Sequence, residues 1–439
     1  AFDVVLLEAS TATGGLIRTT EFRGEPLDAA ADVFITRTPD AEKLALALGL
    51  GGELVAPSTT AASVFARGAV RSLPSGLVLG VPTDLRALWG SGVVSPFSVL
   101  RATGDLLRVG AMQPNVGADP TIADVIEPRL GREILANLID PLLGGINAGD
   151  ARRLSFAAAA PMLAEATTGK ASLIRALRPL ARREPSSSES SIFLGFAEGM
   201  ATLTERLAGD CQRRGVTIRL STSARSVNVI EDGSVRVETP SGAVKADGAV
   251  VALPAWAAAP LVRQMSPSLA REFESIPYAS VATISIAYPL ADAAVSPRMT
   301  GSGVLIPRGE ALCTALTFVS RKWPQRTNAT EFVIRASVGR FGDDRALELD
   351  DAELARRAHS EIAAMFGLTS LPIATHVERF ADAFPQYVSG HLARRERIAQ
   401  LSGGLGPVTI AGSWSGGIGI PSCVATAHIA ARELSDRLQ

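Results

Sequence analysis

"AFDVVLLEASTATGG", residues 1–15, poses the first question about the fold. Phe2, Val4, Val5, Leu6 and Leu7 form an apolar run that ends on Glu8, and the paired glycines Gly14 and Gly15 follow. A short apolar run of this kind reads as a strand buried in a parallel sheet. An acid at the end of such a strand hydrogen-bonds the adenosine ribose in a dinucleotide-binding fold, about 20 residues after a glycine-rich turn. Within this sequence no such turn precedes Glu8. The opening therefore reads as one half of a nucleotide site whose other half must come from elsewhere.

The far end of the chain offers a counterpart. "PVTIAGSWSGGIGIPSCVATAHIAARELSDRL" (407–438) reads as a strand, a glycine-rich loop and a long helix, with Pro421 suited to the helix's first turn. Glycines 416, 417 and 419 let a flat ligand approach the backbone. The helix N-terminus adds unpaired N–H groups and partial positive charge. Cys423 falls in the first helical turn, where thiolate character can rise, although a packed cysteine is the plainer reading.

Between these ends the character changes twice. Residues 75–190 lose strand patterns in favour of helical ones such as "TIADVIEPRLGREILANLIDPLLGG", and "REPSSSESS" (183–191) reads as an exposed loop. Residues 275–340 alternate β-branched and polar side chains and predict a mostly antiparallel sheet. Near the start, "TPDAEKLALALGL" predicts a helix capped by Thr38 with Pro39 at its first position. The first and last strand units read as parts of one nucleotide-binding sheet, with the rest inserted between them.

Totals narrow the function. With 439 residues the chain needs two or three domains, and 47% hydrophobic residues supply their cores. Forty-three basic residues against 44 acidic ones argue against nucleic acid as a partner. Cys211, Cys313 and Cys423 are scattered, which fits a reduced cytoplasmic setting and no metal site. The apolar stretches are too short or too broken by proline to span a bilayer, so only peripheral membrane contact is left open. Histidines 359, 376, 391 and 428 assemble no nucleophilic set, and no catalytic side chain is assigned.

The sequence resembles the protoporphyrinogen/coproporphyrinogen oxidase family, FAD enzymes of haem synthesis within the amine-oxidase-like flavoproteins. "LLEASTATGGLIRT" is similar to that group's ribose-binding acid and paired glycines. More selective are "RSLPSG" (71–76), "RLGREILANLIDPLLGGINAGDARRLS" (129–155), "SRKWPQR" (320–326), "FPQYVSGH" (384–391) and "GGIGIPSCVATA" (416–427), which occur in the family's order. The resemblance covers essentially the whole chain. It implies an α/β fold: a discontinuous Rossmann-like FAD-binding domain (1–60, 192–256 and 400–439), an α+β substrate domain with a mixed sheet (61–75 and 257–399) and a helical domain (76–191). It also implies a strand, glycine-rich turn and helix ahead of the position of Ala1, on the order of 30 residues. The intact inner motifs favour a sequence that begins downstream of that unit over a decayed relative.

The resemblance assigns Glu8 and Ala9 to the ribose and Gly14, Gly15 and Arg18 to the length of the cofactor. It places Ala224 at adenine and Gly412, Ile418, Gly419 and Ile420 at the flavin. Arg71 matches an arginine that binds a substrate propionate. Lys322 and Arg335 are weaker cationic candidates, read as solvated or structural, and Tyr387 and His391 as supports of the return path into the FAD domain. Phe380 stands where relatives often carry tryptophan. The implied reaction removes six electrons from a porphyrinogen in three hydride transfers to the flavin, which dioxygen reoxidises with release of hydrogen peroxide. The "KWPQR" type of motif favours coproporphyrinogen III over protoporphyrinogen IX. Two other readings stay open: a flavin oxidase of amines or carotenoids, and a flavin-free porphyrin carrier or inactive truncated relative. A downstream haem-pathway enzyme is the expected partner.

Overall fold

The computed structural model describes residues 2–110, 119–182, 191–293, 298–326 and 328–439. All but Ser191 of the serine-rich stretch at 183–191 lies outside them. The chain opens with β1 (Val5–Leu7), the hairpin β2 (Thr19–Phe22) and β3 (Glu25–Asp28), and α1 (Asp40–Ala47). Pro39 itself occupies the N-cap position of α1 and no side chain caps it, one residue on from the arrangement read from the sequence. Then come β4 (Ala62–Ala66) and β5 (Ala69–Ser72), followed by a helical stretch containing α2 (Leu85–Ser91), α3 (Pro96–Thr103), α4 (Ile122–Leu130) and α5 (Asp140–Asn147).

The second half begins with β6 (Thr217–Arg219), β7 (Ala249–Ala252), α6 (Ala255–Val262) and α7 (Pro267–Glu274). Four strands follow: β8 (Tyr278–Pro289), β9 (Gly303–Leu305), β10 (Cys313–Phe318) and β11 (Glu331–Val338). The chain closes with α8 (Asp351–Phe366), β12 (Ala374–Pro385), α9 (His391–Gly403), β13 (Val408–Ala411) and α10 (Ile420–Arg437).

One seven-stranded sheet dominates, in the order β12-β8-β11-β10-β9-β4-β5. All its pairs are antiparallel except β9 with β4. Alternation decides its faces. Ile284, Ile286, Ile334 and Phe318 point into a core closed by Leu354, Ala358 and Ile362 of α8. The opposite face carries Thr283, Ser285, Arg335, Ser337 and Thr317 at the intervening positions. A polar middle to a sheet face needs a covering partner or a ligand.

The opening strand departs from expectation. β1 is parallel, paired with β6, but it is not buried: Val4, Val5 and Leu6 are exposed, and only Leu7 reaches the core. The reason is that β1 has a ladder partner on one side only among the described residues. The last strand, β13, pairs in parallel with β7, and the two strand pairs do not hydrogen-bond to each other. What unites them is packing: Leu7, Val251, Val408 and Ile410 share one core with Trp414. Helices α6, α7 and α9 supply Ala258, Phe273 and Ile398 to that same core. The helical stretch builds a separate core from Leu88, Val99, Ile126, Leu138 and Ile174, to which Val64 and Ala66 of β4 contribute.

The hairpin β2–β3 is locked against residues 196–200, and Gly199 permits the approach. Its φ is +97°, and an added Cβ would stand 2.5 Å from Thr19 Oγ1 and 3.0 Å from Asp28 Oδ1. Gly199→Ala is expected to destabilise the fold by about 3 kcal/mol through backbone strain and this clash. Gly90→Ala, where no atom lies within 4 Å, is the control. Thermal unfolding midpoints check the pair: a clear drop for the first and none for the second.

Candidate cofactor and substrate site

Glu8 sits where β1 ends. Its Oε1 accepts hydrogen bonds from the backbone N–H and the hydroxyl of Ser10 at 2.8 and 2.7 Å, which fixes the carboxylate and leaves Oε2 without a partner among the described residues. Thr222 N–H donates to the Glu8 carbonyl and Ser221 N–H to that of Ser10, so the loop carrying Ala224 runs alongside Glu8 and exposed Ala9. The structure thus brings together the three residues that the resemblance assigned to the adenosine end.

The paired glycines follow on a tight turn. Gly14 has φ +113°, Ile17 N–H donates to its carbonyl, and a Cβ would stand 2.8 Å from the Ile17 carbonyl oxygen. Gly15 is exposed, with open space above it. Arg18 is held by three contacts. Its Nε donates to the Gly15 carbonyl at 3.1 Å, its guanidinium lies 5.1 Å from the centre of the Phe380 ring, and Glu378 pairs with it at 3.8 Å. A half-exposed cation tethered this way presents charge at a fixed place. Phe380 is buried beneath it.

The other end of the chain arrives beside this turn. Ile17 and Ile420 pack on one small core of Phe34, Ala41, Leu50, Phe196 and Met200. Gly419 caps α10 without any side-chain hydrogen bond, so the first-turn N–H groups of that 18-residue helix face outward uncapped. Gly416 and Gly419 are exposed, and Gly417, at φ +130°, admits no Cβ without meeting Ser422 Oγ at 2.6 Å. At Gly412 the backbone is extended, and a Cβ there would stand 2.7 Å from the Leu253 carbonyl oxygen. Behind the loop, Tyr387 OH donates to the Ser413 carbonyl, His391 Nε2 lies 2.9 Å from the Trp414 carbonyl, and the two rings stack 4.3 Å apart. These two side chains hold the loop, as their sequence context suggested. Cys423 lies in the first turn as read, but burial raises its thiol pKa, so it is no thiolate.

Strand register locates the substrate side. One row across the sheet runs from Arg71 through Val64, Leu305, Ala315 and Ser337 to Thr283 and Glu378. Directly paired residues share a face, so Arg71 and the Glu378 that pairs with Arg18 stand on the same side of the sheet. Six strand spacings separate them, about 29 Å along the surface. Helix α5 crosses this face at β9, where a Cβ on Gly145 would meet Leu305 at 3.3 Å. Ala315, Thr317 and Ser337, between α5 and the Arg18 side, stay partly exposed. Arg71 is half-buried: its Nε donates to the Ala66 carbonyl at 3.1 Å, and its guanidinium lies against Gly92 at the end of α2.

Lys322 and Arg335 are not solvated. Both face Asp32, and Lys322 Nζ reaches its two carboxylate oxygens at 2.8 and 2.9 Å. Burial works to raise the Asp32 pKa, but the charges of Lys322 and Arg335 outweigh it and hold the carboxyl well below its usual range. The sequence reading did not single out Asp28, Asp32, Ser337 or Thr317. For Ser337 and Thr317 the available signal was a polar residue at alternate positions of a largely apolar strand; Asp32 lies outside any strand and carries no such signal.

A family model described as flavin containing amine oxidoreductase matches residues 1–435. The chain belongs to that family. Curated coproporphyrinogen III oxidases resemble it along their length: that of Mycobacterium tuberculosis (strain ATCC 25618 / H37Rv) is 32% identical over 99% of this chain and 92% of its own. The Staphylococcus aureus enzyme is 28% identical over 98% and 93%. Among solved structures, an Exiguobacterium sp. 255-15 protein provisionally named protoporphyrinogen oxidase superposes with a TM-score of 0.86 at 28% identity, covering 99% of this chain and 93% of that one. Cyclohexylamine oxidase from Brevibacterium oxydans shares the fold at a TM-score of 0.68 and 17% identity. Membership in this flavoprotein family makes the protein a flavin-dependent oxidoreductase. The residues present fit the flavin: a half-free strand-end carboxylate, glycines where a Cβ would clash, an uncapped helix start and an anchored arginine.

The buried loop support makes stability depend on pH. Burial pushes His391 down from 6.5 to about 4. Above pH 6.5 the imidazole is neutral whether folded or unfolded. Between about 6.5 and 4 only the unfolded chain takes up the proton, so stability falls across that window as pH falls, by up to about 3 kcal/mol. Urea unfolding at pH 7 and pH 4.5 checks this, and His391→Gln is expected to flatten the difference.

Proposed function

We propose that the protein oxidises coproporphyrinogen III to coproporphyrin III, with dioxygen taking up the six electrons as three molecules of hydrogen peroxide. The observation that carries this reading is end-to-end likeness to curated coproporphyrinogen III oxidases, 32% identity over 99% of the chain. The site supports it. Glu8, with Ala9 and Ala224 beside it, holds the adenosine end of FAD; Gly14, Gly15 and Arg18 run along its length; Gly412, Ile418, Gly419 and Ile420 meet the flavin ring. When bound, the flavin supplies the two-electron acceptor that side chains lack.

The remaining work falls to the sheet face. Arg71 receives a propionate, and the hydroxyls of Thr317 and Ser337 line the floor between α5 and Arg18. No histidine is placed as a base. His359 Nδ1 lies 3.1 Å from Tyr288 OH, His376 Nε2 is equally close to Glu378, His391 supports the loop, and His428 is exposed on α10.

The helical stretch gives this enzyme a peripheral membrane surface. Trp89, Phe97, Leu100, Leu107 and Val109 are between 60% and 93% exposed. Arg86, Arg101 and Arg108 stand exposed among them. Asp105 is the sole acid between residues 85 and 110, and it is buried, accepting from Ser172 Oγ and Ile174 N–H. Apolar side chains with exposed arginines among them complement an anionic lipid surface. A cleft of about 740 Å³ opens beside them, lined by Phe97, Arg101, Arg132 and Ala136 together with Glu127 and Glu133. We place the enzyme in the cytoplasm, touching the membrane at this patch and passing its porphyrin to a downstream haem-pathway enzyme.

Two measurements test these readings. FAD-loaded protein in air is expected to generate porphyrin fluorescence from coproporphyrinogen III with a kcat/KM about tenfold above that for protoporphyrinogen IX. The reverse ratio points to the protoporphyrinogen reading, and no product from either contradicts both. Arg71→Ala is expected to raise KM about tenfold with little change in kcat. In sedimentation with phosphatidylglycerol vesicles the protein is expected to pellet, and Phe97→Ser with Leu100→Ser to stay in solution. Equal partitioning of the two would remove the membrane assignment.

A further inference from the structure

The largest group of buried charges lies outside the residues assigned to any ligand. Asp28 closes β3, and its Oδ1 accepts from Thr19 Oγ1 and Met200 N–H at 2.7 Å each. Its Oδ2 accepts from Arg326 Nη1, also at 2.7 Å, and Arg326 Nε donates to the Ala197 carbonyl at 3.0 Å. Arg335 donates to the Asp28 carbonyl. Asp32 takes Lys322 on both oxygens and Trp323 Nε1 at 3.2 Å. Arg326 also lies over the Trp323 ring, 4.4 Å from its centre. Three cations face two carboxylates, and Arg335 Nε is buried without a partner among the described residues.

Stability does not account for such a cluster. Burying five charged groups carries a desolvation penalty that mutual attraction roughly cancels, and apolar residues of similar volume commonly hold a fold as well. Directionality is what ion pairs of this geometry add. Apart from Thr19 with Asp28 inside the segment and the contacts of Arg326 to Ala197 and Trp323, these contacts run between the segment 19–32 and three separate parts of the molecule: β11, the turn 322–326 and the loop 196–200. That segment is continuous with the turn that carries Gly14, Gly15 and Arg18. Ala29 N–H donates to the Arg18 carbonyl at 2.9 Å, and Thr283 Oγ1 of the sheet donates to the Ala29 carbonyl at 2.9 Å. Ala29 also packs on Phe380, the ring beneath the Arg18 guanidinium.

We propose that Lys322, Arg326 and Arg335, through Asp28 and Asp32, are positioning residues that fix the Gly14–Arg18 turn relative to the substrate sheet and so set the reach of Arg18 toward FAD. This rests on the flavin reading above. The segment touches both the cofactor side, through the Arg18 carbonyl, and the polar sheet face, through Thr283 and Arg335. Its ionic ties hold the spacing between them, where an apolar contact would allow sliding.

The test uses Lys322→Met, the isosteric Asp32→Asn, Lys322→Arg, and Arg23→Gln. Arg23 pairs with Glu331 at 2.6 Å at the far tip of the same hairpin. Hydrogen exchange is followed on flavin-stripped protein over residues 14–32, and FAD affinity and the flavin absorption envelope on the loaded protein. Lys322→Met and Asp32→Asn are expected to speed exchange in 14–32 about tenfold while strands β8 and β11 keep their protection. They are also expected to weaken FAD binding about tenfold and blur the flavin band structure, with Lys322→Arg recovering both and Arg23→Gln changing neither. Wild-type exchange rates in 14–32 for a folded Lys322→Met or Asp32→Asn would overturn the proposal, as would the same acceleration in Arg23→Gln. Failure of the wild-type protein to take up FAD would instead overturn the flavin reading, and the exchange result stands apart from it.

Discussion

The flavin site proposed at the two ends of this 439-residue chain depends on those ends meeting, and the meeting is an apolar contact. Ile17 follows the paired glycines, Ile420 opens the last helix, and both press on Phe196, Met200 and Phe34. Water expulsion from this small core sets the glycine turn beside the uncapped helix start. Once they are side by side, the local chemistry follows. The turn exposes backbone, the helix exposes N–H groups, and Arg18 is tied down between Gly15 and Phe380.

The seven-stranded sheet adds a second constraint. Its two faces differ sharply in chemistry. One is a sealed hydrocarbon core under α8; the other has hydroxyls and an arginine at its centre. A polar face of that kind survives only when something satisfies it. The segment 19–32 covers one part, through the Thr283 hydrogen bond and the pairing of Asp32 with Arg335. Helix α5 covers another, its Gly145 set close to Leu305. What lies between, at Thr317 and Ser337, stays partly exposed, with Arg71 and Arg18 on the same side at opposite flanks. The fold thereby supplies a broad floor with cations at its margins, which suits a large ring edged by carboxylates.

How much of this could be read from residues alone varies with sequence distance. Glu8, the glycines at 14–15 and the loop at 416–421 were legible because each carries its chemistry in a few consecutive positions. The helix at 40–47 was legible by its period, with its cap displaced by one residue. The exposure of Val4–Leu6 was not, since an apolar strand run looks the same whether it has one ladder neighbour or two. Least visible was the ionic cluster. Asp28 and Arg326 are 298 positions apart, and Asp32 and Lys322 are 290 apart. The sheet face that brings them together is set by strand register, which depends on the whole β-topology. Lys322 and Arg335 are recognisable as cations, but nothing local says that their partners are buried aspartates.

The central claim, that the two chain ends hold a flavin which draws electrons from a porphyrinogen on the sheet face, is tested most directly by anaerobic titration of the FAD-loaded protein with coproporphyrinogen III. The account predicts loss of the yellow flavin absorbance with about three flavins reduced per macrocycle, and porphyrin formed in step. A flavin that stays oxidised and yellow through excess substrate would contradict it.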